Sequence, residues 1–255
     1  MSLQNLGNIF DQIYKKSSWA SDSTSPKSGP GSTPNNAKIY VEFVQQIISK
    51  YKVKSVIDVG HGDWAMWNNF DFEGTHYTGI EISANVHNYV KPKFTSKNKS
   101  FILKDIIRDQ TIPEADLVIC KDVLQHLNNN NVLNLLKLFS NCSLIIICND
   151  FYTSMKFNEF MRCHFQIRTR LNNLLNFKNP FYFQVRKNNS DIENGECRGI
   201  DLERNPFSKV LESYAIISKF DYDGPKRIGL KKRVYLLKKI NKNSPVENIS
   251  IHTIE

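Results

Sequence analysis

Asp58, Gly60, Gly62 and Asp63 lie within Ser55-Val-Ile-Asp-Val-Gly-His-Gly-Asp-Trp64, an apolar run ending in a glycine turn flanked by carboxylates. Glycines there let the backbone reverse tightly and let a ligand approach the main chain. A turn built for a pyrophosphate offers backbone N–H groups and keeps carboxylates away. Here acids flank the glycines, so the expected ligand end is cationic. Glu81 stands nineteen residues after Gly62, where a carboxylate can accept from both hydroxyls of a ribose. Asp105 can accept from an adenine amino group, with Ile106 packing on the ring. Lys121-Asp-Val-Leu-Gln-His-Leu127 adds Asp122 and His126, four apart and on one face if a helical turn follows the strand before them.

A nucleoside with a cationic end describes S-adenosylmethionine, which carries an ammonium and a sulfonium. Methyl transfer from that sulfonium is an in-line displacement, with the acceptor held roughly 3 Å from the methyl carbon. A hydroxyl acceptor benefits from a general base, and His126 has the ordinary pKa for that work near neutrality. The competing reading makes His126 a capping or packing residue. Gly60-His-Gly-Asp-Trp-Ala65 also satisfies the loose dinucleotide pattern G-x-G-x-x-A, and an ordinary strand-to-helix turn is a third reading.

The elements that must position these groups alternate along the chain. Strands are expected at Ser55–Val59, Tyr77–Glu81, Phe101–Asp105, Asp116–Cys120 and Leu144–Cys148. The first is β-branched and apolar, as a strand covered on both faces should be. Helical spacing marks Ile39 to Tyr51 and Asn130 to Phe139, with a helix start at Trp64–Trp67. This order predicts an α/β fold with a doubly wound, mostly parallel, Rossmann-like sheet. Late strands at Tyr214–Lys219 and Val234–Lys238, either side of the turn signal Asp221-Tyr-Asp-Gly-Pro225, predict an antiparallel pair at one edge. Residues 1–36 read as a leader whose Ser/Pro/Gly-rich part, 17–36, cannot form a regular element. The domain is expected over 37–240, with a basic helical insertion at about 151–187 and a polar, frayed tail at 241–255.

With 255 residues, 40% of them hydrophobic and 23% charged, the chain suits one globular domain. Its longest apolar run, Leu144–Cys148, is too short to span a membrane. Met1–Phe10 lacks the basic and apolar regions of a signal peptide. Five cysteines, an odd count without a C-x-x-C pair, argue against structural zinc or a disulfide framework. A cytoplasmic location follows, in a host cytoplasm if the Asn/Lys/Ile-rich, AT-leaning composition is viral. The net charge of +9 is uneven: residues 151–255 carry eight of those charges. Arg162, Arg168, Arg170, Arg186 and Lys187 could hold a diphosphate, since arginine forks suit phosphate oxygens. The same charge, with Phe181, Tyr182 and Phe183, could meet RNA, or it could be a solvated face. No RNA-binding signature accompanies it, so a small-molecule or glycan acceptor bearing phosphate ranks ahead of nucleic acid.

As a set, residues 37–150 resemble the class I S-adenosylmethionine-dependent methyltransferases. The run ending Val-Gly-His-Gly-Asp-Trp64 is similar to that superfamily's first motif, Tyr77-Thr-Gly-Ile-Glu-Ile-Ser83 to its second, and Lys121–Leu127 to its fourth. The resemblance implies cofactor contacts from Asp58, Gly60, Gly62, Asp63, Trp64, Glu81, Ile82, Asp105, Ile106, Lys121 and Asp122, with Asp58 and Asp63 facing the methionine ammonium. His61 departs from the small residue usual between the glycines. Ser28-Gly-Pro-Gly-Ser-Thr33 and Asn189-Ser-Asp-Ile-Glu-Asn-Gly-Glu-Cys-Arg-Gly-Ile-Asp-Leu-Glu-Arg-Asn-Pro-Phe207 resemble a bacterial-type group that often accompanies genes for surface-glycan synthesis. That narrower likeness implies that Ser28, Gly29, Gly31 and Ser32 fold over the cofactor. It also implies that Arg198 and Asp201, with Asp150, meet the acceptor. The implied activity is O-methylation of a sugar hydroxyl in a nucleotide-sugar or surface glycan, with Asp122 and His126 at the chemistry. RNA methylation and a catalytically dead, binding-only fold are the alternatives. Asp122, Asn149 and Asp150 are also similar to the magnesium cage of catechol-type O-methyltransferases, whose hard oxygens suit that ion. Asp-Val-Leu-x-His-Leu is more typical of metal-free members, so no metal is expected.

Overall fold

The computed structural model describes residues 6–19, 27–72, 74–139, 142–153, 187–225 and 229–240. The body of the expected insertion, with Arg162, Arg168, Arg170, Arg186 and the aromatics 181–183, lies outside these residues, as does the tail from 241. Seven strands form one sheet: β1 Ser55–Val59, β2 His76–Glu81, β3 Lys99–Leu103, β4 Leu117–Lys121, β5 Leu144–Tyr152, β6 Tyr214–Tyr222 and β7 Leu230–Lys239. Their order is β3-β2-β1-β4-β5-β7-β6. β1 to β5 are mutually parallel, and β7 runs antiparallel to both β5 and β6. The fold is therefore the expected doubly wound α/β sheet with an antiparallel edge. Its order reverses between β1 and β4, where ligands of such sheets bind beyond the carboxyl ends of the strands.

Both faces are covered, which is why the central strands read as continuous apolar runs. Ile57 and Val59 of β1, with Ile145 and Ile147 of β5, pack beneath α1 (Leu6–Lys15), the one-turn helix α4 (Ile106–Asp109) and α5 (Asn129–Phe139). Val56, Ile119 and Ile146 face the other way, against α2 (Pro34–Tyr51) and α3 (Ala84–Phe94). A further one-turn helix, α6 (Ser208–Leu211), precedes the β6–β7 hairpin.

Three departures from the sequence reading bear on the site. Within the leader, Leu6, Phe10 and Tyr14 recur every fourth residue, form the buried stripe of α1 and cover the sheet. Asp11 fastens that helix by accepting from the Ser83 hydroxyl and from the Asn85 N–H, at the start of α3. After β1, where a helix start was expected, Trp64 takes a left-handed φ of 62° and only a single 3-10 turn, Ala65–Trp67, follows. Among the described residues no α-helix opens directly after the glycine turn, so the turn lacks the following helix dipole that a pyrophosphate would use. Finally, β5 and β6 run longer than expected because β7 pairs with them through Tyr152↔Leu230 and Tyr222↔Lys232, taking Asp221 and Tyr222 out of the anticipated turn.

Candidate active site

A cavity of about 880 Å³, counting its open mouth, lies over the carboxyl ends of β1, β2 and β4. Its floor is the turn Gly60–Asp63, Glu81–Ile82, Asp105–Ile106 and Lys121–Val123; its roof is Leu6, Phe10, Tyr14 and Trp19 of the leader. Ser28 and Ser32 also line it. Most residues named for the cofactor are thus brought together, with additional walls from α1 that the sequence reading missed.

The glycine turn is held by two elements. Gly60 and Gly62 have φ of 74° and 57°, and a Cβ at either would overlap Val123 or Ser28 respectively. The space the glycines leave is therefore filled partly by the protein itself. Ser28 and Asp63 bond reciprocally: the Asp63 N–H donates to the Ser28 hydroxyl at 2.7 Å, and the Ser28 N–H donates to the Asp63 carboxylate at 3.0 Å. Farther along the leader, the Gly31 carbonyl accepts from the Lys121 ammonium at 2.8 Å. Gly29 packs against Trp19 instead of lining the cavity. Of this segment Ser28 lies against the turn, and Gly31 lies against Lys121, Asp122 and Lys232.

Glu81 is buried on the floor and accepts from three backbone N–H groups, those of Gly62, Ile82 and Ser83, at 2.9–3.2 Å. Burial pushes its carboxyl up to about 7, and those bonds only partly offset the effect. The Tyr14 hydroxyl, itself pushed far up by burial and by Glu81, bonds Ser28 above. Asp105 caps α4 by accepting from the Arg108 N–H. His61 donates from Nδ1 to the Gly62 carbonyl and packs edge-on to Phe101; burial lowers it to about 4, so it is neutral. The Trp64 residue borders the cavity, while its indole packs among Tyr77, Phe94 and Phe101.

Asp58 does not take the place expected for it. It shares a strand face with Val56, opposite Val59 on the cavity side, and accepts from the Trp67 indole at 2.9 Å and the Tyr77 hydroxyl at 2.7 Å. Burial pushes it up to about 6. Its bonds fix the 3-10 turn beneath the site, and of the two flanking acids only Asp63 reaches the cavity.

His126 borders the cavity from the connection after β4, with Trp19 over its ring at a centroid distance of 4.8 Å. Its Nδ1 lies 2.9 Å from the Glu196 carbonyl, which can only accept, so Nδ1 carries the proton. The Gln125 amide oxygen accepts from the Asp150 N–H, turning the amide nitrogen toward His126 Nε2 at 3.3 Å. Nε2 is then the lone-pair nitrogen. Burial lowers the imidazole below its ordinary value, against the pull of the Glu196 carbonyl and Asp122. The group is a neutral imidazole with a basic nitrogen.

The shared face expected for Asp122 and His126 is not formed. Asp122 takes a left-handed φ of 59° and turns toward Lys121 and Lys232, whose ammonium groups each hold one of its oxygens. Burial alone would raise its carboxyl; the two lysines outweigh that and hold it well below the carboxylate range. A carboxylate so held is a poor proton acceptor, so Asp122 is not placed as the base. Lys232 also holds Asp150, which is buried behind the cavity wall and not offered to an acceptor. The Asn149 side-chain oxygen accepts from the Gln125 N–H. The oxygens that a magnesium ion would need are therefore already engaged, and the residues do not fit that ion.

Arg198 and Asp201 are likewise structural. Arg198 is 0% exposed and donates to the Leu124 carbonyl, the Ser190 carbonyl and Asn129 Oδ1. Asp201 is buried against Arg204 and Tyr235. The segment they belong to braces the connection that carries His126. Gly195 and Arg198 donate their N–H groups to the His126 and Gln125 carbonyls, and Asp191 and Asn194 accept from the N–H groups of Asn129 and Asn128.

Solved structures share this architecture. Magnesium protoporphyrin IX methyltransferase ChlM from Synechocystis PCC 6803, with bound SAH, is similar with a TM-score of 0.58 at 13% identity, covering 91% of this chain and 99% of that one. An S-adenosylmethionine-dependent methyltransferase from Clostridium acetobutylicum ATCC 824 gives 0.54 at 16%, covering 91% and 98%. N-methyltransferase NodS from Bradyrhizobium japonicum WM9 gives 0.52 at 8%, covering 83% and 99%. At these identities the likeness is one of fold. No family model and no curated protein matches the chain. Among the described residues, no helix is long and apolar enough to cross a membrane.

Proposed function

We propose that this chain is an S-adenosylmethionine-dependent O-methyltransferase acting on a sugar hydroxyl, in a nucleotide-sugar or a surface glycan. The observation that carries the reading is one cavity bordered by the acidic glycine turn, by Glu81 and Asp105, and by a neutral, braced His126. The cofactor, when bound, supplies a methyl on a sulfonium. Glu81, buried and with one carboxylate oxygen that holds only the Gly62 N–H, accepts from ribose hydroxyls; Asp105 accepts from an amino group, with Ile82 and Ile106 against the base. Asp63, tied to Ser28, faces the cationic end. His126 Nε2 takes the acceptor's proton once Gln125 yields that lone pair. Structures of this fold that hold SAH and SAM support the cofactor class.

The sugar acceptor rests on the likeness of residues 28–33 and 189–207 to the glycan-associated group. Charge on the described second half weighs against RNA, because much of it is locally paired: Lys219 with Glu203, Lys231 with Asp223, Arg233 with Asp221. The test is calorimetry with adenosylhomocysteine, followed by product mass after incubation with adenosylmethionine and a panel of nucleotide-sugars. A gain of one methyl on a sugar supports the proposal. Absence of cofactor binding would make the chain a binding-only fold. Methylation of RNA, bound with a steep salt dependence, would replace the sugar reading.

A further inference from the structure

Lys232 lies directly opposite Asp150 on the antiparallel β5–β7 pair, so its stem rises along the sheet beside that carboxylate. Its ammonium bridges one oxygen of Asp150 and one of Asp122, while the other Asp122 oxygen is held by Lys121. The side chains of Lys121, Lys232 and Asp150 are all less than a tenth exposed. The chain makes room for this cluster from two sides. A Cβ at Gly31 would come within 2.8 Å of Asp122 and 3.3 Å of the Lys232 ammonium, and one at Gly224 within 3.0 Å of the Lys232 stem.

Burying two lysines and two aspartates is an odd way to stabilise a core, since well-packed apolar residues usually do as well. Where the cluster sits is more informative. Asp122, just after β4, and Asp150, on β5, direct a carboxylate oxygen each at one point, and paired hard oxygens of that kind suit a divalent ion. Here an ammonium lies between them, and the four charges sum to zero. Lys121 and Asp122 border the cavity, whereas Lys232 and Asp150 stand behind them.

We infer that Lys232 is a cation built into the chain, occupying the position between Asp122 and Asp150 that a divalent ion would otherwise fill and fixing the cavity wall on which the leader and the acceptor are seated. The inference deepens the methyl-transfer reading of the same site. Lys232 acts through Asp122, as a positioning residue, and does not touch substrate. Lys232 takes one Asp122 oxygen and leaves the other to Lys121, whose ammonium also reaches the Gly31 carbonyl and so ties the leader to this wall.

The discriminating variant is Lys232→Ala, which removes the ammonium and leaves the oxygens. The purified variant should bind about one Mn2+ by electron paramagnetic resonance where the wild type binds none. Lys232→Ala combined with Asp122→Asn should bind none. In chelator the single variant should transfer methyl about tenfold more slowly or worse, and Mg2+ or Mn2+ should restore the rate while leaving the wild type indifferent. Lys232→Arg, which keeps a cation, should behave as wild type. If Lys232→Ala folds only with the ion present, that also supports the inference. A folded variant that takes up no Mn2+, or one that folds neither with nor without it, overturns the inference. Mn2+ uptake is read without methyl transfer, so failure of the methyltransferase reading would leave this outcome separately visible.

Discussion

Glu81 sets a pH dependence that links stability to binding. Its carboxyl sits at about 7 in the folded protein against 4.5 ordinarily, because burial opposes its charge. The folded state therefore retains a proton that the unfolded chain has already released. Stability from this group is complete below about pH 4.5 and is lost as pH rises through about 7. Integrated between about pH 5 and 8, the loss is about 2.5 kcal/mol. Glu81→Gln removes the titration, so urea unfolding of variant and wild type should diverge by that amount across the interval, in the variant's favour. Comparing the two cancels the titrations that do not sense Glu81; Asp58, whose charge helps raise Glu81, is coupled to it and adds to the difference. A ribose that donates to the carboxylate needs it ionised, so wild-type affinity for adenosylhomocysteine should rise about tenfold from pH 6 to 8. The variant's affinity should be flat with pH and weaker by about 1.5–3 kcal/mol at the upper end, the usual loss for a hydrogen bond to a charged group. Parallel stability curves would refute the burial argument. A rising wild-type affinity with an equally tight Glu81→Gln variant would refute the assigned contact.

His126→Gln should lower single-turnover methyl transfer by about 10²–10⁴-fold while leaving adenosylhomocysteine affinity intact. Wild-type turnover should fall only below the depressed imidazole value, where the ring protonates; unchanged turnover in the variant would remove His126 as base. Arg198→Met removes the buried donor to the Leu124 and Ser190 carbonyls and to Asn129 Oδ1 and should cost about 3 kcal/mol in urea unfolding, with no selective rise in acceptor KM. A selective KM effect at full stability would return Arg198 to the substrate. Gly62→Ala meets both a left-handed φ and the Ser28 hydroxyl, so thermal unfolding should report a loss of about 1–2 kcal/mol or more, together with weaker cofactor binding. Full stability would mean that the leader is not seated on the turn.

Much of the fold was readable because burial on both faces writes a simple pattern: Val56, Ile57 and Val59, or Ile145 to Ile147, can only be strand interiors. Parity within β1 also carried information that motif matching overrode. Asp58 alternates with Val59, and only one of them can face the cavity. The stripe Leu6, Phe10, Tyr14 was likewise present in the sequence, at helical spacing within the stretch read as a leader. Lys232 is different in kind. Nothing local joins it to Asp122 and Asp150; the pairing exists because β7 inserts antiparallel beside β5. Arg198 and Asp201 were assigned by resemblance, and a signature segment reads the same whether its side chains touch a ligand or brace the loop that does.

The roof explains the floor. A doubly wound sheet leaves the ends of its strands open to water, where Glu81 would titrate near its ordinary value. α1 closes that edge with Leu6, Phe10 and Tyr14, held by Asp11 to the start of α3, and Trp19 closes over His126. Water excluded by these side chains is what lifts Glu81 and keeps His126 neutral, since burial is the largest cause of both shifts. On the methyl-transfer reading proposed above, hydroxyl donors arriving at this under-solvated carboxylate relieve the cost of its burial, so removing Leu6 or Phe10 should weaken adenosylhomocysteine affinity as well as lower the Glu81 pKa. The leader thereby belongs to the site's electrostatics, although it contributes few polar atoms to the cavity.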